Sequence, residues 1–255
     1  MKTVIIPDIH HHISQVKLIL LHEAPDKVVF LGDWFDDFFD TPEMSADTAI
    51  WLMKRMDRHP EDVFIWGNHD THYGFPSHET RCSGFEQIKC DAIRDIMTGR
   101  HWDRFVFHHW EASWLCTHAG LTRPHASGVD DIKAWLTAEE QKAQEALRRS
   151  KRHWMFAAGY ARGGPSPFGG VNWCDTSEFL PIQDVNQVFG HTPQGSRVWK
   201  YDTNRRKDQV KNSDNYCIDT HLRFYAVIRD GIFEIKDSIT YRFPESKNGD
   251  SSSTG

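Results

Sequence analysis

The chain has 255 residues, of which 39% are apolar and 26% charged, with a formal net charge of −6. That length holds one large domain or two small ones with a sizeable core, and the balance excludes a disordered chain. The net acidity excludes a global basic signature for non-specific nucleic-acid binding, leaving only local patches such as "LRRSKRH" at 147–153.

The start, "MKTVIIPDIH", has one Lys, a short apolar run and then charge, which is not the h-region of a signal peptide. "TVIIPD" (3–8) reads as a buried strand, "ISQVKLILLH" (13–22) as a helix and "KVVFLGD" (27–33) as a second buried strand. A helix is expected from Pro42 to His59, with Thr41 before it and Ala49, Leu52, Met53 and Met56 forming its apolar stripe. "DVFIWGN" (62–68) is a third strand. Strand–helix–strand–helix–strand predicts α/β layers with a mostly parallel start.

Further on, "GFEQIKCDAIRDIM" (84–97) reads as helix, and "RFVFHHWEASWLCTHAG" (104–120) as two strands around a turn near Glu111. A long helix is expected from Asp131 to Arg149, with Ile132, Trp135, Leu136, Ala143 and Leu147 on one side. "GYARGGPSPFGGVNW" (159–173) is a Gly- and Pro-rich loop of a length that often serves function. "QVFGHT" (187–192), "RVWKYD" (197–202), "NYCIDT" (215–220) and "RFYAVIRDGIFEIKD" (223–237) read as strands, the last as a hairpin turning at Asp230-Gly231. The end, "PESKNGDSSSTG", is polar and small, so one domain over 1–243 and a disordered tail over 244–255 are expected.

The cysteines are Cys82, Cys90, Cys116, Cys174 and Cys217, an odd number with no CxxC spacing. That argues against a disulfide framework or a thiolate zinc site and for a reducing compartment, read here as the cytoplasm. No run of about 18 apolar residues occurs, so no membrane span is expected. Sixteen histidines are present, and only their position can separate surface usage from metal ligation.

Position is informative. The first strand ends with Asp8 and His10, the second with Asp33 and Asp36, the third with Asn68, His69 and Asp70; two later strands end at His118 and His191. Asp8 and His10, at i and i+2, point the same way in extended chain. Singly, such residues are ordinary turn formers. Jointly, carboxylate, carboxamide and imidazole groups gather at the edge where parallel α/β layers bind ligands. Oxygen and imidazole donors suit Mn²⁺, Fe or Zn²⁺ better than Ca²⁺. Six ligands suit two metals about 3.5–4 Å apart sharing a carboxylate. Two Asp charges and a bridging hydroxide against two divalent ions leave roughly one positive charge, for which a phosphate ester is the natural guest, attacked in line by the hydroxide.

In order and approximate spacing, "DIH", "GDWFD", "GNHD", "THAG" and "GHT" resemble the calcineurin-like metallophosphoesterases, and "THAGLTRP", "FGHTP" and "CIDT" look like the branch of bacterial serine/threonine protein phosphatases and diadenosine tetraphosphatases. The resemblance runs from about Met1 to Thr220. It implies an α/β fold, a four-layer α-β-β-α sandwich of two mixed β-sheets flanked by helices. It implies two divalent metal ions, Mn first and Fe or Zn as alternatives. Asp8 and His10 would hold the first, Asp33 would bridge, and Asn68, His118 and His191 would hold the second. His69 would be the general acid, oriented by Asp36, while Asp70 supports the turn.

The branch usually continues its second motif Asp-Arg-Gly, with the Arg on the substrate phosphate; here Asp36-Asp37-Phe38 stands instead. Arg123 and Arg162 are the candidate replacements. His221 stands where the family's "IDTG" has Gly, and His11-His12 follow His10 where Gly is common; none of the three has an assigned role. The expected function is dimetal-dependent phosphoester hydrolysis, first as a protein-phosphatase-like phosphomonoesterase. The alternatives are a dinucleoside polyphosphate hydrolase or nucleotide phosphodiesterase, with Trp34, Phe35 and Trp173 as base-stacking candidates. Outside enzymes, a non-catalytic protein-binding scaffold on the same fold remains. The expected partner is a phosphorylated substrate (phosphoprotein, nucleotide or small phosphoester), with no membrane and no strong nucleic-acid signature.

Overall fold

Short apolar runs with side chains buried on both faces make the strands that carry the site. The computed structural model describes residues 1–201, 210 and 212–238. Its first part runs β1 (Lys2–Ile6), α1 (Ile13–Glu23), β2 (Lys27–Phe30), α2 (Pro42–Arg58), β3 (Val63–Ile65) and α3 (Asn68–Gly74). Then come α4 (Gln87–Arg94), α5 (Gly99–Trp102), β4 (Phe105–Val106), β5 (His108–Glu111), β6 (Trp114–Thr117) and α6 (Ile132–Arg148). The rest is β7 (Asn186–Phe189), β8 (Trp199–Lys200), β9 (Asn215–Cys217), β10 (Phe224–Arg229) and β11 (Ile232–Asp237). The domain boundary expected at 243, the tail at 244–255 and Asp202 of the strand expected at 197–202 lie outside the described residues.

Among the described residues the strands form two mixed sheets, ordered β11-β10-β1-β2-β3-β4 and β5-β6-β7-β9-β8. β1, β2, β3 and β4 run parallel, as do β6, β7 and β9; β10, β5 and β8 are antiparallel to their neighbours within those runs. The C-terminal ends of the parallel strands therefore open on one edge of the paired sheets.

The two faces of β1 and β2 pack into different cores. Ile5 and Val29 point between the sheets, meeting Ile65, Cys116, Val188 and Ile218. Val4, Ile6, Val28 and Phe30 point outward onto Val16 and Ile19 of α1 and Ala49, Leu52 and Met56 of α2. This two-sided burial is why these strands read as continuous apolar runs. Each such buried aliphatic side chain contributes about 1.5–3 kcal/mol. The outer face of the second sheet sets Phe189 and Cys217 against Phe179 and Cys174 of the segment between α6 and β7. The helix ends follow local rules: Thr41 Oγ1 accepts from Met44 N at 3.3 Å with Pro42 behind it, and Asp131 Oδ1 accepts from Ala134 N at 3.0 Å. The final hairpin turns through Asp230 (φ 52°) and Gly231 (φ 84°), which suits the twist of the strands. Among the described residues, no helix is long and apolar enough to cross a membrane.

One expected turn is a helix. "GNHD" opens α3, with Gly67 before its first residue. Asp70 holds this corner: Oδ2 accepts from Gly67 N at 3.0 Å and Oδ1 from Trp34 N at 2.8 Å. A side chain on Gly67 would collide with the backbone and carboxylate of Asp33, so glycine lets the ends of β2 and β3 meet.

Candidate metal centre

Each strand end delivers one polar group to the shared edge. Asp8 follows β1, Asp33 follows β2, Asn68 starts α3 after β3, His118 follows β6, and His191 follows β7. Asp33 (φ 50°), Asp36 (φ 64°) and His191 (φ 70°) adopt left-handed backbone, which turns the side chain sharply off the strand direction. Asp and His are among the residues that tolerate this region, and such strain collects at functional sites.

Two groups of three form, and Asp33 belongs to both. Asp8, His10 and Asp33 offer ligand atoms within 4.8 Å of one another, as do Asp33, His118 and His191. Asp33 Oδ2 lies 3.7 Å from His10 Nε2 and 3.4 Å from His118 Nε2. Asn68 Oδ1 lies 3.0 Å from His118 Nε2 and 2.8 Å from His191 Nδ1, and those two nitrogens are 3.2 Å apart. His118 Nδ1 donates to Leu31 O at 2.9 Å, which aims Nε2 into the cluster. His10 Nδ1 likewise donates to backbone carbonyls of Phe35 and Asp36.

The atoms that converge are mostly acceptors, and they fit a cation. Asp8 Oδ2 and His191 Nε2 are buried with no hydrogen-bond partner. Leaving such groups unpaired is costly unless something positive meets them. Burial pushes the Asp8 carboxyl up to about 8, and the nearby Asp219 adds to it. Burial also opposes the charge on Asp33, but His118, His69 and His10 outweigh it and hold that carboxyl well below its ordinary value. Burial opposes a cation on His118 too, yet Asp33 and Asp8 carry its pKa up to about 9. Burial, with His118 and Arg162 beside it, holds His191 well below the usual imidazole value.

His69 sits at the rim, its ring 5.7 Å from that of His10. Its Nδ1 donates to Asp36 Oδ2 at 2.9 Å, and its backbone N donates to Asp33 Oδ1 at 3.0 Å. Burial lowers the pKa of the ring, but Asp33 and Asp36 outweigh it and raise it well above the ordinary value. Asp36 gathers more donors than the sequence discloses. His72 Nε2 lies 2.9 Å from Oδ2, Lys89 Nζ 2.9 Å from Oδ1, and the Tyr73 hydroxyl also donates to Oδ1. Despite burial, His69 and His72 hold the Asp36 carboxyl far below the carboxylate range.

A cavity of about 770 Å³ adjoins this rim, lined by Cys82, Arg81, Arg152, Trp154, Arg162 and Trp173 among others. Arg162 donates to Asp175 at 3.0 Å and lies 3.4 Å from Thr192 Oγ1, while its Nε is buried without a partner. Arg123 begins the short turn Arg123–Ala126 and is not among the cavity's lining residues. Trp173 lines the cavity and meets the His191 ring at 5.6 Å. Trp34 and Phe35, expected as possible base-stacking surfaces, are both 0% exposed; they pack against Phe30 and Tyr73 and cannot reach a ligand. Asp37 Oδ2 lies 3.7 Å from His12 Nε2.

Sequence reasoning missed His72, Tyr73 and Lys89 behind Asp36, Asp219 beside Asp8, and Cys82 beside His69. His72 and Tyr73 had a local signal, standing three and four residues after His69 on one helix, and Asp219 stands in "CIDT"; Lys89 and Cys82 had none.

A family model described as calcineurin-like phosphoesterase matches residues 1–195. Among solved structures, a point mutant of a cold-active protein tyrosine phosphatase is similar at a TM-score of 0.58 and 13% identity, covering 93% of this chain and 78% of that one. The cold-active protein-tyrosine phosphatase of the psychrophile Shewanella sp. gives 0.57 at 13% identity, with the same 93% and 78% coverage. A protein serine/threonine phosphatase from Saccharomyces cerevisiae reaches 0.49 at 12% identity, covering 95% of this chain and 82% of that chain. The likenesses to the two tyrosine phosphatases bear on the fold alone. No curated protein matches the chain.

Proposed function

Since the chain belongs to the calcineurin-like phosphoesterase family and is a metal-dependent hydrolase of phosphoesters, we propose that it acts on phosphomonoesters, with His69 as general acid. Asp8 and His10 would hold one divalent ion, Asn68, His118 and His191 the other, and Asp33 both. Mn²⁺ is the first choice, because the donors are carboxylate, carboxamide and imidazole. Bound there, the ions would supply Lewis acidity toward the phosphoryl oxygens and lower the pKa of a water nucleophile. The observation that carries this reading is Asp33, common to two ligand groups in which two buried atoms, Asp8 Oδ2 and His191 Nε2, lack partners.

The chain's own residues do the rest. His69 Nδ1 is committed to Asp36, so Nε2 is the atom that can hand a proton to the leaving alkoxide. Asp36 stays ionised under its ring of donors, so it orients His69 and favours the protonated ring without taking the proton. Arg162, with an unpaired Nε at the cavity, replaces the missing motif Arg as a phosphate-orienting cation. The phosphomonoester reading gains from the burial of Trp34 and Phe35, which takes two of three stacking surfaces from a dinucleotide. Trp173 at the cavity keeps a nucleotide phosphodiester as the second reading. All five cysteines are free, in keeping with a cytoplasmic setting.

The test is a Mn²⁺ panel of a phosphomonoester, a phosphodiester, a dinucleoside tetraphosphate and a phosphopeptide. Monoester turnover is expected to lead, and His69→Asn should lower it by roughly 10²–10⁴ with metal content near two per chain. Unchanged turnover in that variant would remove His69 from the mechanism.

A further inference from the structure

Behind the general acid lies a second ligand set of different chemistry. His69, His72 and Cys82 offer ligand atoms within 4.8 Å of one another. Cys82 Sγ is 3.3 Å from His72 Nδ1 and 3.8 Å from His69 Nδ1. A tetrahedral zinc with Zn–S of about 2.3 Å and Zn–N of about 2.0–2.1 Å sets its S···N edges near roughly 3.5 Å. The two observed distances bracket that value. His72 completes a further requirement. Its other nitrogen, Nε2, is held by Asp36 Oδ2 at 2.9 Å, the carboxylate–histidine support that zinc ligands ordinarily have. The thiol is half-buried and lines the 770 Å³ cavity, which gives an ion a way in and leaves room for a water as fourth ligand.

We propose that His69, His72 and Cys82 form an inhibitory site for a soft divalent cation, Zn²⁺ foremost, distinct from the two-metal centre. Softness separates the sites: the catalytic cluster contains no sulfur, whereas this one includes a thiol, and thiolate selects Zn²⁺ over Mn²⁺. On binding, the thiol proton leaves to solvent and Sγ joins the metal. Inhibition follows from one atom with two uses. His69 Nδ1 cannot donate to Asp36 at 2.9 Å and ligate zinc at once. Zinc therefore removes the bond that orients the acid and displaces the Nδ1 proton of His69 to solvent. The inhibitory step rests on the general-acid role of His69, whereas the zinc site itself rests only on geometry.

Two measurements separate these. First, protein preloaded with Mn²⁺ is titrated with Zn²⁺ during p-nitrophenyl phosphate hydrolysis, each variant being scaled to its own zinc-free rate. Wild type should lose turnover at micromolar zinc, and Cys82→Ser should need on the order of tenfold more zinc for the same loss. Equal zinc sensitivity in both would overturn the proposal, because the zinc would then act at the two-metal centre. Second, Co²⁺ binding to wild type should give a sulfur-to-cobalt charge-transfer band that Cys82→Ser lacks, and Zn²⁺ should slow alkylation of Cys82 as followed by peptide mass spectrometry. Absence of both the band and the protection would overturn the site without any assay of turnover. A cobalt–thiolate band in a protein that hydrolyses no phosphoester would support the site and overturn the phosphoesterase reading instead.

Discussion

Two buried polar clusters lie at opposite ends of β1 and β2, and they differ in how completely they are satisfied. At the N-terminal ends, Glu111 accepts from Thr3 Oγ1 at 2.8 Å and from Lys27 Nζ at 2.7 Å, and His109 lies 3.2 Å from the same carboxylate. Both oxygens of that buried carboxylate are paired, and opposite charges meet. At the C-terminal ends, Asp8, Asp33, Asn68, His118 and His191 bring acceptors together, and two of their buried atoms have no partner. The first cluster is built to hold the sheets to each other. The second is incomplete as protein alone, which is the physical mark of a site awaiting a cation.

The comparison breaks most sharply at Asp33. Asp33→Ala should reduce bound metal from about two ions toward none and turnover by roughly 10³ or more, because one side chain serves both ligand groups. The metal-free protein should stay folded with a lower melting temperature, since, despite burial, His118, His69 and His10 favour the charged carboxylate, and His69 N loses its acceptor. Metal analysis, a chromogenic phosphate assay and calorimetry read this. A variant that keeps two metals, or unfolds, would erase the distinction between the clusters.

Gly190→Ala probes the same centre indirectly. A methyl group there would meet Asp8 Oδ2, so the carboxylate must shift. Metal affinity should weaken by about 10–100-fold, the usual effect of disturbing a ligand's support, with the fold intact. Competition with a fluorescent chelator measures it; unaltered affinity would mean that Asp8 is not a ligand in this pose.

How much of this contrast was legible in the sequence follows from range. The long helices, most strands and the polar residues at the strand ends are local patterns and stand where the sequence puts them; the run at 104–120, read as two strands, makes three, with β4 joining one sheet and β5 and β6 the other. The glycine-like corners were half legible. His11 (φ 64°) and His221 (φ 52°) stand where the resembling family has Gly, and both adopt the left-handed backbone that glycine supplies. A histidine tolerates it at about 1–2 kcal/mol. His11 also finds partners, with Nδ1 2.9 Å from Thr48 Oγ1 and Nε2 3.1 Å from Asp40. What was hidden depends on the folded chain. Lys89 is 53 positions from Asp36 in sequence, and nothing near either residue announces their contact. Trp34 and Phe35 looked like ligand platforms because they flank a motif, but hydrophobic burial decided their fate.

The other cluster should answer in stability. Glu111→Gln removes a charge that holds Lys27 and should cost about 1–3 kcal/mol, measured by urea unfolding, with metal content and turnover at wild-type levels. Lost activity at full metal occupancy would show that the two ends of the strands are coupled.

The smallest effect is a pH dependence, and its sign separates the clusters again. Burial raises the Glu111 pKa, but Lys27, Thr3 and His109 outweigh it and leave the folded value below the ordinary 4.5. A depressed carboxyl contributes stability that is present above its unfolded pKa and is lost as pH falls through the folded one. The stability gap between wild type and Glu111→Gln should therefore be full at neutral pH and close as pH drops below about 4.5. Asp8 runs the other way, because its carboxyl is raised to about 8 in the metal-free protein. Protonation on folding stabilises it fully below the unfolded value near 4, and that contribution is lost as pH rises through about 8. In metal-free protein, Asp8→Asn should thus gain relative stability as pH climbs from 5 to 8, while Glu111→Gln loses no more over that window. Parallel curves for the two variants would mean that both clusters are held by the same paired-charge logic, and the case for a cation at the strand ends would lose its electrostatic support.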